Sequence, residues 1–280
     1  MCTGGERATM RPVIDHVPFA ASDLTAIVER FESAGFDPDY GGEHPDAGTE
    51  MAALVLPDGS YLELVAPTRS DPAWWGEFFE YGDPLGGPSD WCVESGSVHA
   101  ECQRLIDHDV EVHGPSRGSR ERPDGTVVEW DNAFLGPPDE HLLPFVVSDR
   151  TPREYRVPDS ELYGSPVSGI AWVVLATDDM ERTVDRFERL YRFPSPEYDY
   201  DDEYGDLACF PGQDVVLCEP DGGRVADRVA EFGPCPATVL LSADVDDARH
   251  QHPLGDGREW FGRRVRFVEG LDGYLGLVAR

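Results

Sequence analysis

The feature that most restricts how this chain can fold is an internal repetition. Tyr61 to Ala66 reads YLELVA and Tyr274 to Ala279 reads YLGLVA, the same string but for Glu63 against Gly276. Between them LLPFVV (Leu142 to Val147) and DVVLCE (Asp214 to Glu219) close two further segments of similar length. Each segment also opens alike, with a short strand, an acidic or hydroxyl cap and an amphipathic helix. In the first, Leu24, Ile27, Val28 and Phe31 fall at i, i+3, i+4 and i+7, with Ser22 or Asp23 as the N-cap and Gly35 as the terminator. In the second, a strand near Asp90 to Glu94 precedes a stripe of Val98, Cys102, Leu105 and Ile106. In the third, IAWVVLATDDM leads into Met180, Val184, Phe187 and Tyr191, and in the fourth ATVLLSADV leads into a helix cut short by Pro253 and Gly255. Strand-like runs divided by PDG at Pro57 and Pro123, PGQ at Pro211 and LDG at Leu271 fill the rest of each unit.

The repeated unit therefore predicts an α+β fold of four βαβββ modules, paired into two curved mixed-sheet domains with helices on the outer faces. Residues 1–9 read as a disordered tail, 10–150 as the first domain, 151–165 as a linker without apolar periodicity, and 166–280 as a second domain of two degenerate modules. A sheet that curls around a hollow leaves alternate residues pointing inward.

Charge narrows the partners. Asp and Glu number 55 against 23 basic residues, a formal charge of −32, and every one of the basic residues is Arg. A surface this acidic repels polyanions, which excludes nucleic acid and anionic membranes as partners. Carboxylate excess without Lys points to a halophilic, salt-adapted source with an acidic proteome, where a Debye length of about 3 Å in molar salt screens the self-repulsion. The longest apolar run, Ile170 to Ala176, is far below the roughly 20 residues of a membrane span. Six Cys without CxxC spacing read as free thiols, and with no secretory leader the expected location is cytoplasmic.

The strings DHVPFAASDL, HPDAGTEMAALVLPDGSYLELV, RPDGTVVEW and LPFVVSD resemble the glyoxalase-like branch of the vicinal oxygen chelate superfamily, which includes glyoxalases, extradiol dioxygenases and bleomycin resistance proteins. The detailed likeness covers about residues 13 to 150; beyond that only the module layout matches. It implies metal ligands on the first and last strands of a module, where His16 and Glu63 stand. The alternation agrees, since Ile14, His16 and Pro18 share one strand face and Tyr61, Glu63 and Val65 another. An imidazole with a carboxylate suits a divalent metal, Zn, Fe, Mn or Ni. Aligning the second module puts Asp90 opposite His16, or Trp91 with a one-residue slip, and Pro144 opposite Glu63; His141 starts the same strand. The corresponding C-terminal positions are Trp172, Val216, Ala237 and Gly276, none of them a ligand.

His44, Arg122 and Trp130 are the candidate substrate contacts: a loop imidazole near the cavity mouth, a bidentate cation for a carboxylate, and one of the alternating pair Glu129 and Trp130. Trp74 and Trp75 either line a pocket or pack a helix. No catalytic acid or base is assigned. Two functions follow: metal-assisted lyase, isomerase or dioxygenase chemistry on a small oxygenated molecule, or sequestration of a small-molecule ligand without chemistry, in a monomer or homodimer. The charge pattern sets a first test: the melting temperature should fall on dilution from molar to millimolar salt, and an unchanged value would refute salt adaptation.

Overall fold

A computed structural model describes residues 12–80, 87–138 and 140–280; the expected tail at 1–9 lies outside the described residues. The four modules are all present. The first runs β1 (Val13–Ala20), α1 (Leu24–Ser33), β2 (Asp39–His44), β3 (Thr49–Val55) and β4 (Tyr61–Pro67). After a short helix α2 (Gly76–Glu80) and a two-residue strand β5 (Gly87–Pro88), the second runs β6 (Cys92–Glu94), α3 (Val98–Ile106), β7 (Val112–Glu121), β8 (Val127–Leu135) and β9 (Phe145–Asp149). A connector helix α4 (Arg153–Arg156) leads to β10 (Val167–Ala176), α5 (Met180–Tyr191), β11 (Glu197–Asp201), β12 (Gly205–Cys209) and β13 (Val215–Glu219). Helix α6 (Gly223–Phe232) precedes the fourth module: β14 (Cys235–Ala243), α7 (Val245–Ala248), β15 (Leu254–Trp260), β16 (Arg263–Val268) and β17 (Leu275–Ala279).

An acidic or hydroxyl side chain starts every module helix. Asp23, Ser97, Asp179 and Asp244 are N-caps whose side chains accept from the backbone N–H three residues on, at Ala26, Ala100, Arg182 and Asp247. Such a cap satisfies one of the donors a helix start leaves unpaired. The predicted stripes face inward: Leu24, Ile27 and Phe31 on α1, Val98, Cys102 and Leu105 on α3, Met180, Val184, Phe187 and Tyr191 on α5. Ile106 departs from its stripe and is half exposed, because α3 ends there.

The strands form two curved sheets, ordered β4-β3-β2-β7-β8-β9-β6-β1-β5 and β11-β12-β13-β10-β14-β17-β16-β15. In the first, β1 also pairs in parallel with β4, so the sheet closes on itself. The second stays open as a half-barrel. One hydrophobic cluster runs through both halves, joining Val17, Phe19, Leu62 and Trp91 to Val173, Phe187, Leu217 and Leu241. No helix among the described residues is long and apolar enough to cross a membrane.

The stretch between the sheets is tied down by charge. Arg156 of α4 is buried, donates to both oxygens of Asp15 on β1 at 2.6 and 2.9 Å, to Asp149 at the end of β9 at 2.6 and 3.0 Å, and to the Tyr61 hydroxyl on β4 at 3.0 Å. Arg153 adds a bond to Asp15 at 2.5 Å. Removing one member of a buried ion network leaves the others uncompensated, at about 3–5 kcal/mol. Arg156→Met should therefore lower unfolding free energy by about 3 kcal/mol or more in a denaturant titration; a loss below about 1 kcal/mol, the range of surface pairs, would contradict this reading.

Candidate functional site

Inside the barrel, polar side chains from two strands converge. His16 of β1 and Glu63 of β4 come from adjacent parallel strands in the register Pro18 to Glu63 and His16 to Tyr61. Their side chains meet, His16 Nε2 standing 3.3 Å from Glu63 Oε2. His44, the last residue of β2, approaches the other oxygen, with Nε2 at 3.7 Å from Glu63 Oε1. Both imidazoles are held from behind: His16 Nδ1 lies 2.6 Å from Asp15 Oδ1, and His44 Nδ1 lies 3.1 Å from Thr49 Oγ1. The Tyr61 ring stacks on His16 with centroids 4.5 Å apart. All three donor residues are buried.

Arg120 of β7 and Trp130, Asn132 and Phe134 of β8 line the same cavity, as do Trp74, Trp75, Phe145 and Val147. Residues 130, 132 and 134 alternate along β8, which sends Trp130 inward and leaves Glu129 on the opposite face. Gly118 on the paired strand makes room for that indole, since a Cβ there would stand 2.4 Å from its ring atoms. The cavity itself measures about 30 Å³. That is room for a water or two, or an ion.

The charges in this interior are unequal. Burial would push His16 down, but its hydrogen bonds to Asp15 and Glu63 raise it above 6.5. Glu63 would be pushed up by burial, and the His16 bond with neighbouring positive charge holds it low. His44 is driven by burial down to about 4, against the pull of Glu63, so it is a neutral imidazole near neutrality. Arg120 is lowered by burial. Among the described residues its hydrogen bonds go to two backbone carbonyls, those of Gly41 and Arg156.

Two donor clusters can be weighed for a metal. Asp15, His16 and Cys92 each place a ligand atom within 4.8 Å of the others. That cluster does not fit, because Asp15 already accepts from Arg153, Arg156 and His16, and burial pushes the Cys92 thiol well above its ordinary value. The second set, His16, Glu63 and His44, draws its ligand atoms together less closely than the first but leaves them free of competing ion pairs to Arg. It offers two imidazole nitrogens and a carboxylate, each ring braced through its other nitrogen as ligating His usually is.

Of the residues singled out in the sequence, His16, Glu63, His44 and Trp130 share this cavity. Asp90 does not line it. The strand β6 starts at Cys92, which pairs with His16 across a bulge, and Asp90 precedes the strand and faces a different cavity. There its Oδ2 accepts from the Trp75 indole N–H at 3.3 Å and stands 3.5 Å from His141 Nδ1, while His141 Nε2 lies 3.0 Å from Glu77. Arg122 lies past the end of β7 and donates to the Tyr155 carbonyl; Arg120, two residues earlier, is the cavity's guanidinium. Val147, rather than Pro144, takes the place of Glu63 in the second module, because the pairs Cys92 to Phe145 and Glu94 to Val147 repeat the offset of β1 and β4. In the third module the same offset sets Val174 against Val216. Trp172, Tyr204 and Trp260 fill the hollow of that half. Asp15, Asn132 and Arg156 carried no signal in the sequence beyond their polarity.

A family model of glyoxalase-like domains matches residues 14–191. Solved structures share the fold over nearly the whole chain. A hypothetical protein from Staphylococcus aureus superposes with a TM-score of 0.64 at 14% identity, covering 95% of this chain and 98% of that one. A mutant 4-hydroxymandelate synthase from Streptomyces coelicolor gives 0.61 at 14% identity, covering 97% and 93%. The Mn(II)-bound glyoxalase from Novosphingobium aromaticivorans gives 0.56 at 14% identity, covering 96% and 82%. At these identities the likeness shows the fold. Among curated proteins, a stretch of 74 residues is 38% identical to the pyridoxal 5'-phosphate synthase subunit PdxT of Mycobacterium leprae, spanning 23% of this chain and 37% of that protein.

The His141 cluster yields a pH test. Burial would lower this imidazole, but its bonds to Asp90 and Glu77 raise it to about 9. A raised His contributes stability in full below its unfolded value near 6.5, and loses it as pH rises through the folded value. Unfolding free energy should therefore fall between about pH 6.5 and 9 in the parent. His141→Gln should flatten that slope, and an unchanged slope would refute the assignment.

Proposed function

The chain belongs to the glyoxalase-like domain family, within the vicinal oxygen chelate superfamily, and from that premise we propose that its closed sheet is a divalent-metal site acting on a small oxygenated organic molecule. The observation that carries this is the Glu63 carboxylate set between His16 Nε2 and His44 Nε2, with the far nitrogen of each ring already engaged. His16, Glu63 and His44 would hold the ion, which when bound polarises a substrate oxygen as a Lewis acid.

The chain's own groups supply the rest. Asp15, fixed by Arg153 and Arg156, aims His16 Nε2 into the cavity. Arg120 meets negative charge on the substrate, and the Trp130, Phe134 and Phe145 walls exclude water and strengthen each electrostatic contact. The arrangement supports lyase, isomerase or dioxygenase chemistry alike, since fold does not choose among reactions.

A second reading, sequestration without chemistry, is favoured by one observation. The second module offers Cys92, Phe145 and Val147 where the first offers His16, Tyr61 and Glu63, so it adds no carboxylate or imidazole to the set.

Elemental analysis decides between them. Protein purified in high salt and supplemented with Zn, Fe, Mn or Ni should carry about one ion per chain, and His16→Ala, Glu63→Ala and His44→Ala should each lose it, since three protein ligands are the usual catalytic complement. A folded parent that retains no ion after supplementation would refute the metal site and favour sequestration.

A further inference from the structure

A second cavity of about 360 Å³ adjoins the first. Trp74, Trp75, Phe134 and Phe145 line both, so the two cavities share four aromatic side chains. Their faces are offset: Phe134 and Phe145 stack with centroids 5.1 Å apart, and Trp75 tilts across both at 6.5 and 6.0 Å. Leu135, Leu143, Pro72 and Pro137 extend the apolar surface. Its volume falls within the roughly 300–1,000 Å³ of small-molecule sites, whereas the first cavity is far below it.

The shared wall is held in place. Trp75 sits at φ 53°, a conformation a bulky residue rarely adopts, and its indole N–H is anchored on Asp90. Asp90 is fixed by the Trp91 backbone N–H at 2.8 Å and by His141, which also grips Glu77 on α2. These carboxylates are thus engaged in supporting the wall. The cation on the other side differs. Arg120 is buried in a chain of net charge −32, yet among the described residues no carboxylate lies within ion-pair distance of it, and its hydrogen bonds end on carbonyl oxygens. A desolvated guanidinium whose counter-charge, Glu63, acts only from beyond contact distance gains from a ligand that brings one into contact.

We propose that the two cavities together take an aromatic carboxylate, its planar body among Trp74, Trp75, Phe134 and Phe145 and its carboxylate on Arg120. Planar rings gain stacked and edge contacts from such walls that a saturated body of equal size does not. The anionic head then lies beside His16, Glu63 and His44, and in this the inference rests on reading those residues as the reacting centre.

Calorimetry with 2-naphthoate tests it, beside 2-naphthalenemethanol, which lacks the charge, and cyclohexanecarboxylate, which lacks the planar body. The folded parent should bind 2-naphthoate at least about tenfold more tightly than the alcohol, the worth of one charge-assisted hydrogen bond, and about tenfold more tightly than cyclohexanecarboxylate, the worth of aromatic wall contacts. Ala73→Phe, at an exposed position on the rim of the larger cavity, should weaken 2-naphthoate at least about tenfold while leaving the far-ultraviolet spectrum unchanged. Trp74→Ala, which removes a shared wall, should do the same if Ala73→Phe fails to fold. Equal affinity for the three probes, or no binding, or binding indifferent to both substitutions, would overturn the proposal. Metal content measured on the same samples separates the two readings. Retained metal without naphthoate binding sinks only the aromatic carboxylate, and selective naphthoate binding without metal sinks only the metal site.

Discussion

A single buried carboxylate, Asp15, organises the first sheet. It lies within β1, is almost wholly shielded from water, and accepts from the guanidinium groups of Arg153 and Arg156 on the connector and from His16 beside it. Burial alone would favour its neutral form, but Arg156 and the other donors keep it charged, well below the ordinary carboxylate range. The charge is therefore compensated, and the compensation joins four pieces of chain: β1, the connector, β9 through Asp149 and β4 through Tyr61. The same carboxylate that locks the barrel to the connector also fixes which nitrogen of His16 faces inward. Stability and site geometry share one group.

The four modules show how differently one scaffold can be filled. The β1–β4 pairing, the β6–β9 pairing and the β10–β13 pairing repeat one offset, so equivalent inward positions can be compared directly. They hold Glu63, Val147 and Val216 in turn. In the C-terminal half, Trp172, Tyr204 and Trp260 occupy the space that the N-terminal half leaves for polar groups. A packed aromatic interior stabilises by burial what a hollow would forgo. The imidazole and carboxylate groups of the cavity come from the first module, and the second adds Arg120, Asn132 and aromatic walls.

Much of this was legible in the sequence. The helix faces, their caps and the PDG turns at Gly59 and Gly125 follow from local rules, and both glycines have positive φ. His16 and Glu63 were legible because alternation in a strand sets a side chain's face. Asp90 misled because β1 and β6 pair across a bulge, and a register slip cannot be read from residue types. Arg122 misled because the length of β7 decides which Arg points inward, and that length depends on pairing with β8. Arg156 was hidden in a stretch without periodicity, its role coming from contacts with residues 95 and 141 positions away. The Asp90–His141–Glu77 cluster was invisible for the same reason: the segments before β6 and β9 and helix α2 meet only in three dimensions.

The apolar cluster that spans both sheets has a genetic corollary. Phe187 on α5 packs against Trp91 from the other half, and His252 between α7 and β15 stacks on Phe36 between α1 and β2, so a gene cut at the connector would encode pieces with raw, greasy flanks. Insertions, permutations and fusions are better tolerated at the hairpin tips, where chain reversal touches little else. The shared core thus favours inheritance of the two halves as a unit.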